Sequence, residues 1–263
     1  MSGSAVLKTL EGGVAVLTLN RPETFNALDM AMGRELVDAL EQCGEDRETK
    51  VVIVTGAGKA FCSGGDLKMM RDVLPDQPVV VLRQLTKLLH RAVTDIRLMH
   101  KPVIAAVNGS AGGAGFSLAM ACDLRVMSEK AKLRQAYTSN GLVPDGGWTA
   151  FVPVYAGLGR AFELALLDPV LDASTALEWG LVNLVVPEEQ VMPVARQWAE
   201  RLSTGALFAL GQVKSLLNGA VLPSLETLLE RERQGMIAAG LTGDAMEGIT
   251  AFTEKRPPRF KGQ

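Results

Sequence analysis

Two glycine-rich turns, each set behind a short apolar run, constrain this chain more than any other feature. The first is Phe61-Cys62-Ser63-Gly64-Gly65-Asp66-Leu67, soon after Val51-Val52-Ile53-Val54-Thr55. The second is Asn108-Gly109-Ser110-Ala111-Gly112-Gly113-Ala114-Gly115, directly after Val103-Ile104-Ala105-Ala106-Val107. Glycine lets backbone come close to a neighbour and turn its N–H groups outward. Two such turns on neighbouring strands supply two converging amide donors, which stabilise an anionic oxygen without a charged side chain. The chemistry they suggest is chemistry on a carbonyl.

The sequence around the turns alternates strand-like and helix-like segments. Val14 to Leu19 reads as a strand ended by Asn20-Arg21-Pro22, and Asp29 as the N-cap of a helix with Met32, Leu36, Leu40 and Cys43 on its apolar side. Residues 72–80, with Pro75 and Pro78, read as a loop. A long amphipathic helix follows, with Leu82, Leu85, Leu89, Val93 and Ile96 on one stripe. The second turn leads into a helix containing Leu118 and Met120, and Leu124-Arg125-Val126-Met127 reads as another strand. This alternation favours a largely parallel sheet with right-handed crossovers. Beyond Arg160 the pattern is mostly helical, over 160–168, 173–180, 189–203, 206–218 and 223–242, with the run from Leu181 to Val186 between two of them. A length of 263 residues suits one large domain, or one with a small appendage. The basic end Lys255-Arg256-Pro257-Pro258-Arg259-Phe260-Lys261 reads as either a solvated tail or an anion contact.

Several function classes are disfavoured. A net charge of −2 and a pI near 5.8 argue against a nucleic-acid binder held by phosphate contacts. Cys43, Cys62 and Cys122 lack metal spacing and read as reduced thiols of an intracellular, cytoplasmic protein; no metal is expected. No basic segment runs into an apolar stretch at Met1-Ser2-Gly3-Ser4, and no run approaches the roughly 20 apolar residues of a membrane span, so neither signal peptide nor membrane partner is expected. Gly56-Ala57-Gly58-Lys59 resembles a nucleotide loop, but Phe61 replaces the glycine of a dinucleotide fingerprint and Ala60 the Ser or Thr of a phosphate loop. Gly115-Phe116-Ser117-Leu118-Ala119 approaches a nucleophile elbow but ends in alanine, and both histidines, His90 and His100, lie upstream of it.

The two turns stand in order with Leu19-Asn20-Arg21-Pro22…Asn26-Ala27-Leu28, with Gly141-Leu142-Val143-Pro144-Asp145-Gly146-Gly147, and with the ending Phe252-Thr253-Glu254-Lys255-Arg256-Pro257-Pro258-Arg259-Phe260. On this ordered set, which covers essentially the whole chain, the sequence resembles the crotonase superfamily, the enoyl-CoA hydratases and isomerases. The resemblance implies an α/β fold, a crotonase-like spiral of ββα units over residues 1–200, and a helical C-terminal trimerisation region over 201–263. It also implies a homotrimer or a dimer of trimers. The implied substrate is an acyl-CoA thioester that passes through an enolate, with no cofactor beyond the coenzyme A of the substrate. Ser63 is then the first oxyanion donor, and Ala114, or Gly113 one residue away, the second.

The catalytic acid/base departs from the hydratase pattern. The two glutamates that hold water in that branch fall on Ser117 and Tyr137, neither of them a carboxylate. Asp145 offers a replacement, since an Asp at this place is base or nucleophile in the isomerase and dehalogenase branches; its other reading is the N-cap of the helix starting near Trp148. Ser117, Tyr137, Gly113 and Trp148 are assigned to the substrate pocket. Ala27, Gly65, Asp66, Leu67, Lys68 and Lys255 are assigned to coenzyme A, with helix capping as the alternative for Asp66. The expected reaction is migration of a double bond in an enoyl-CoA. Hydration by Asp145 is the nearest alternative, and binding of a CoA thioester without catalysis a further one.

Overall fold

The computed structural model describes residues 3–73, 76–222 and 224–262; Met1, Ser2, Leu74, Pro75, Pro223 and Gln263 lie outside the described residues. The hairpin β1 (Val6–Glu11) and β2 (Val14–Leu19) opens the chain, followed by α1 (Met30–Glu45). As expected, the Asp29 carboxylate caps α1 by accepting from Met32 N–H at 2.8 Å, and Met32, Leu36, Leu40 and Cys43 are buried beneath it.

A β–β–helix unit then recurs. Strand β3 (Val51–Gly56) and short β4 (Ala60–Cys62) lead to α2 (Leu67–Val73) and α3 (Pro78–Leu98). Strand β5 (Val103–Val107) and β6 (Ser110–Gly112) lead to α4 (Ala114–Ala121), and β7 (Leu124–Ser128) is followed by β8 (Lys132–Arg134). The first strand of each unit joins a six-stranded sheet and the second a four-stranded one. After α5 (Trp148–Ala156), α6 (Leu158–Leu167), β9 (Leu171–Asp172), α7 (Ala173–Glu178) and β10 (Leu184–Val186), the strand orders are β1-β2-β3-β5-β7-β10 and β4-β6-β8-β9. Among the described residues only β1–β2 and β8–β9 pair antiparallel. Four helices finish the chain: α8 (Val191–Ser203), α9 (Leu207–Val221), α10 (Leu225–Gly240) and α11 (Gly243–Glu254). Among the described residues no helix is long and apolar enough to cross a membrane.

The structure corrects the reading of 72–80 as a loop. Asp72 and Val73 end α2, and α3 already begins at Pro78, at a first helical position where the missing N–H of proline leaves no bond unmade. Pro75 lies outside the described residues. The last helical segment, read from 223 to 242, ends at Gly240 and is followed by α11, capped by the Thr242 hydroxyl.

Pairing of β4 with β6 lays the two glycine-rich turns against each other. A Cβ on Gly115 would stand 2.1 Å from the Cys62 carbonyl oxygen, and one on Gly64 2.9 Å from that of Gly112. The obstacle is backbone in both cases, so the turns meet only because neither residue carries a side chain.

Candidate active site

The segment after β2 is fastened by two side chains. Arg21 pairs with Asp29 and Asp66, each at 3.2 Å, and donates to the Ala27 carbonyl at 2.6 Å. Buried Asn26 donates to the carbonyls of Ala57 and Ala60. Leu28 is thereby held beside the first turn: its N–H donates to Gly64 O at 2.7 Å, and its carbonyl accepts from Asp66 N–H at 3.0 Å. The junction borders a cavity of about 720 Å³.

Backbone bonding decides which turn amides remain free. Ser63 N–H donates to Phe25 O at 3.0 Å, so the expected first donor is already spent and that assignment is corrected. Gly64 N–H meets the buried Cys62 sulfur. Gly65 N–H has no acceptor among the described residues and borders the cavity. In the second turn Gly113 N–H donates to Arg134 O at 3.1 Å. Ala114 is the first residue of α4, where an N–H has no partner within the helix. The unspent pair is therefore Gly65 and Ala114, both at the cavity wall.

Asp145, Tyr137 and Ser117 come together as one cluster. The Tyr137 hydroxyl donates to Asp145 Oδ1 at 2.7 Å, and Ser117 Oγ donates to the Asp145 carbonyl at 2.7 Å while lying 3.1 Å from the Tyr137 oxygen. Asp145 and Tyr137 border the cavity, and Asp145 Oδ2 has no partner among the described residues. Burial pushes the Asp145 carboxyl up to about 6, against the Tyr137 hydrogen bond, which pulls it down. Burial also raises the Tyr137 phenol, with the Asp145 charge adding to it. Cys62, at the foot of the first turn, is raised by burial to about 11, which favours the thiol over the thiolate.

Asp145 does not cap α5. The cap position is Gly147, with no side-chain bond of its own, and the work falls to Glu232 on α10. One Glu232 oxygen accepts from Gly147 N–H at 2.8 Å and the other from Thr149 N–H at 3.1 Å and from the Thr149 hydroxyl. His90 Nε2 accepts from Gly146 N–H at 3.3 Å. Sequence reading missed Glu232, which sits in the charged run Glu230-Arg231-Glu232-Arg233 and differs in no visible way from its neighbours. His90 did carry a signal, as a polar residue next to the apolar stripe of α3.

Other assignments divide. Ala27, Gly65, Asp66, Leu67, Lys68, Gly113 and Lys255 all border the cavity. Ser117 and Trp148 do not: Ser117 is fully enclosed behind Tyr137, and Trp148 is buried with its ring edge-on to Phe116 at 6.3 Å. The Asp66 side chain takes the capping alternative, accepting from Met69 N–H at 3.1 Å at the start of α2. The basic end is pinned to α11, with Arg256 and Arg259 N–H on Glu247 and Lys261 N–H on Asp244. Exposed Lys68 and Lys255 form no ion pair among the described residues. Met70, Leu82, Leu85, Leu142 and Met236 add an apolar wall.

The sequence pattern described as enoyl-CoA hydratase/isomerase matches residues 9–263. The chain belongs to the enoyl-CoA hydratase/isomerase family, within the crotonase superfamily. Its likeness to other members of the family spans whole chains. It is 39% identical to a 1,2-epoxyphenylacetyl-CoA isomerase of Escherichia coli over 98% of each chain. It is 37% identical to a probable enoyl-CoA hydratase of Rhodobacter capsulatus over 100% of each. The structure matches that of an enoyl-CoA hydratase from Mycobacterium avium subsp. paratuberculosis with a TM-score of 0.89 and 35% identity, over 98% of both chains. The α/β spiral with a helical C-terminal region is thus the fold of this family.

Proposed function

We propose that the protein is an enoyl-CoA isomerase in which Asp145 carries a proton between two carbons of a β,γ-unsaturated thioester. One observation carries this reading: the buried Asp145 carboxylate borders the cavity with a free oxygen, beside Tyr137 and Ser117, the two positions that the resemblance gives to the glutamates of a hydratase. Ionised Asp145 takes the α-proton, and the C–H electron pair moves into the thioester to give a dienolate. The oxygen of that dienolate is received by Gly65 N–H and Ala114 N–H, where each donor is worth about 3 kcal/mol of barrier. When the carbonyl re-forms, the γ-carbon takes the proton back from Asp145. No water is consumed and no redox partner is needed. Tyr137 keeps Asp145 Oδ1 occupied, so that Oδ2 faces the reacting carbons.

On this reading Lys68 and Lys255 meet the phosphates of coenzyme A, while Ala27, Asp66 and Leu67 seat its pantetheine or adenine end. Two relatives are named isomerases, the Escherichia coli protein above and a trans-2-decenoyl-[acyl-carrier-protein] isomerase of Streptococcus mutans at 29% identity, which supports the assignment. The hydratase name of the Rhodobacter capsulatus relative keeps water addition as the second reading.

The test is incubation with 2-enoyl- and 3-enoyl-CoA esters in deuterated water, followed by mass spectrometry. Double-bond migration with deuterium incorporation is expected. Rapid gain of water without migration would establish the hydratase reading, and no turnover of any ester would leave only a CoA-thioester binder.

We further propose a homotrimer or dimer of trimers in a reducing cytoplasm. The large exposed apolar side chains Phe162, Leu166 and Leu167 on α6, and Phe208, Leu216 and Leu217 on α9, support assembly. All three cysteines are buried and unpaired, which supports the compartment. Light scattering is expected to give a mass of at least three chains, and a monomer at assay concentration refutes the assembly.

A further inference from the structure

The turn that carries Asp145 is clamped from two sides. Gly146 and Gly147 are consecutive left-handed residues, with φ +67° and +79°. A Cβ on Gly146 would stand 2.7 Å from a Leu89 methyl and 2.9 Å from the Ser117 Cβ, so α3 and α4 press on this turn directly. Its outward N–H groups are all claimed. Gly146 N–H goes to His90 on α3, Gly147 and Thr149 N–H to Glu232 on α10, and Trp148 N–H to the Asp145 main-chain oxygen at 3.3 Å. None goes to the Asp145 carboxylate. An aspartate so close to a helix start ordinarily gives its oxygens to the first-turn amides. Here another carboxylate occupies them.

Glu232 is buried, as is His90, whose Nε2 lies 3.9 Å from Glu232 Oε2. Since His90 Nε2 accepts a hydrogen bond from Gly146 N–H, the imidazole is neutral and does not form an ion pair with Glu232. Burial, with nearby Arg233 adding to it, lowers His90 to about 4, consistent with that state. Among the described residues, the titratable groups around Glu232 are Asp145, Tyr137, His90 and Arg233. Burial raises the Glu232 carboxyl to about 7, against the Thr149 hydroxyl and the Gly147 and Thr149 N–H groups, whose hydrogen bonds pull it down.

We infer that Glu232, assisted by His90, is the positioning residue of the acid/base turn: it takes the cap of α5 and so leaves the Asp145 carboxylate free beside Tyr137 and the cavity. The inference rests on the assignment of Asp145 proposed above. It ties the reaction centre to α10, within the segment whose sequence suggested only assembly.

The test is Glu232→Gln, with Thr149→Val as the milder partner. Glutamine places an NH2 group against backbone donors that now meet a carboxylate, which loosens the turn. Steady-state kinetics on the isomerised enoyl-CoA are expected to show kcat lower by about a hundredfold, the loss typical of an ångström-scale misplacement, with KM nearly unchanged. The acid limb of kcat/KM is expected to stay near pH 6, because burial raises Glu232 itself to about 7 and leaves it largely uncharged where Asp145 ionises. Thr149→Val, at an exposed position, deletes only the hydroxyl bond to Glu232, and kcat is expected to fall about fivefold. A loss of activity that only tracks the unfolded fraction, or a folded Glu232→Gln enzyme with native kcat, overturns the inference. Should Glu232→Gln not fold, native kcat in Thr149→Val overturns it. Asp145→Asn separates the two claims: if that variant still turns over, the acid/base assignment fails; if it is inactive while both other variants behave as native, only the positioning role fails.

Discussion

Asp145→Asn is expected to lower double-bond migration by roughly a thousandfold while making the folded protein more stable at pH 8. The loss follows from removing the buried carboxylate that borders the cavity beside Tyr137 with a free oxygen. The gain follows from burial. Asp145 is moved from the ordinary 3.8 to about 6, so the native state holds this proton more tightly than the unfolded chain does. Between those two values stability falls as pH rises, and the whole cost is present above about pH 6. A neutral amide of the same shape avoids the charged part of that cost, on the order of 1–3 kcal/mol. Urea unfolding at pH 5 and pH 8 should therefore show a larger advantage for the variant at pH 8. The same value sets the pH dependence of the native enzyme, whose kcat/KM should fall as pH drops through about 6 because the base must be ionised. A variant that keeps turnover, or is no more stable at pH 8 than at pH 5 relative to the native chain, contradicts this account.

Ala114→Pro is expected to reduce kcat by about 10²–10³, the effect of losing one oxyanion donor, and to leave the protein folded. Position 114 is the first residue of α4, where proline is well tolerated, and the preceding Gly113 carries no side chain to clash with the ring. The substitution removes one backbone N–H and no intrahelical bond. Thermal melting within a few degrees of the native protein, alongside the kinetic loss, is the expected result. Native kcat in a folded Ala114→Pro protein would falsify the donor assignment.

Elements with a strong local pattern were legible in the sequence. Asp29 and the Met32–Leu36–Leu40 stripe identify α1, and the apolar runs at Val51 and Val103 identify central strands. Strand β1 was not legible: it is an edge strand with five of its six residues exposed, so it shows no alternation. The short strands β4, β6 and β8 have three residues each, too few for a periodic signal. At the site, Asp145, Tyr137 and Ser117 could be named because residue type and order carry their chemistry. The donor in the first turn could not, because Ser63 and Gly65 differ only in where their amides point. That direction is fixed by Phe25 O, 38 positions before Ser63 in the chain. Glu232 was hidden for a related reason: its partners are the backbone of a turn more than eighty positions away.

Gly65 and Ala114 present amides that belong to the main chain. Almost any amino-acid exchange at either position alters a side chain and keeps the N–H; only proline deletes it. The half of the centre that receives the oxygen is therefore inherited almost whole through sequence drift, while the half that moves the proton hangs on one replaceable carboxylate. A scaffold divided in this way can acquire a new reaction by exchanging residues around Asp145, Tyr137 and Ser117, and still begin each one from a thioester whose oxygen is already accommodated.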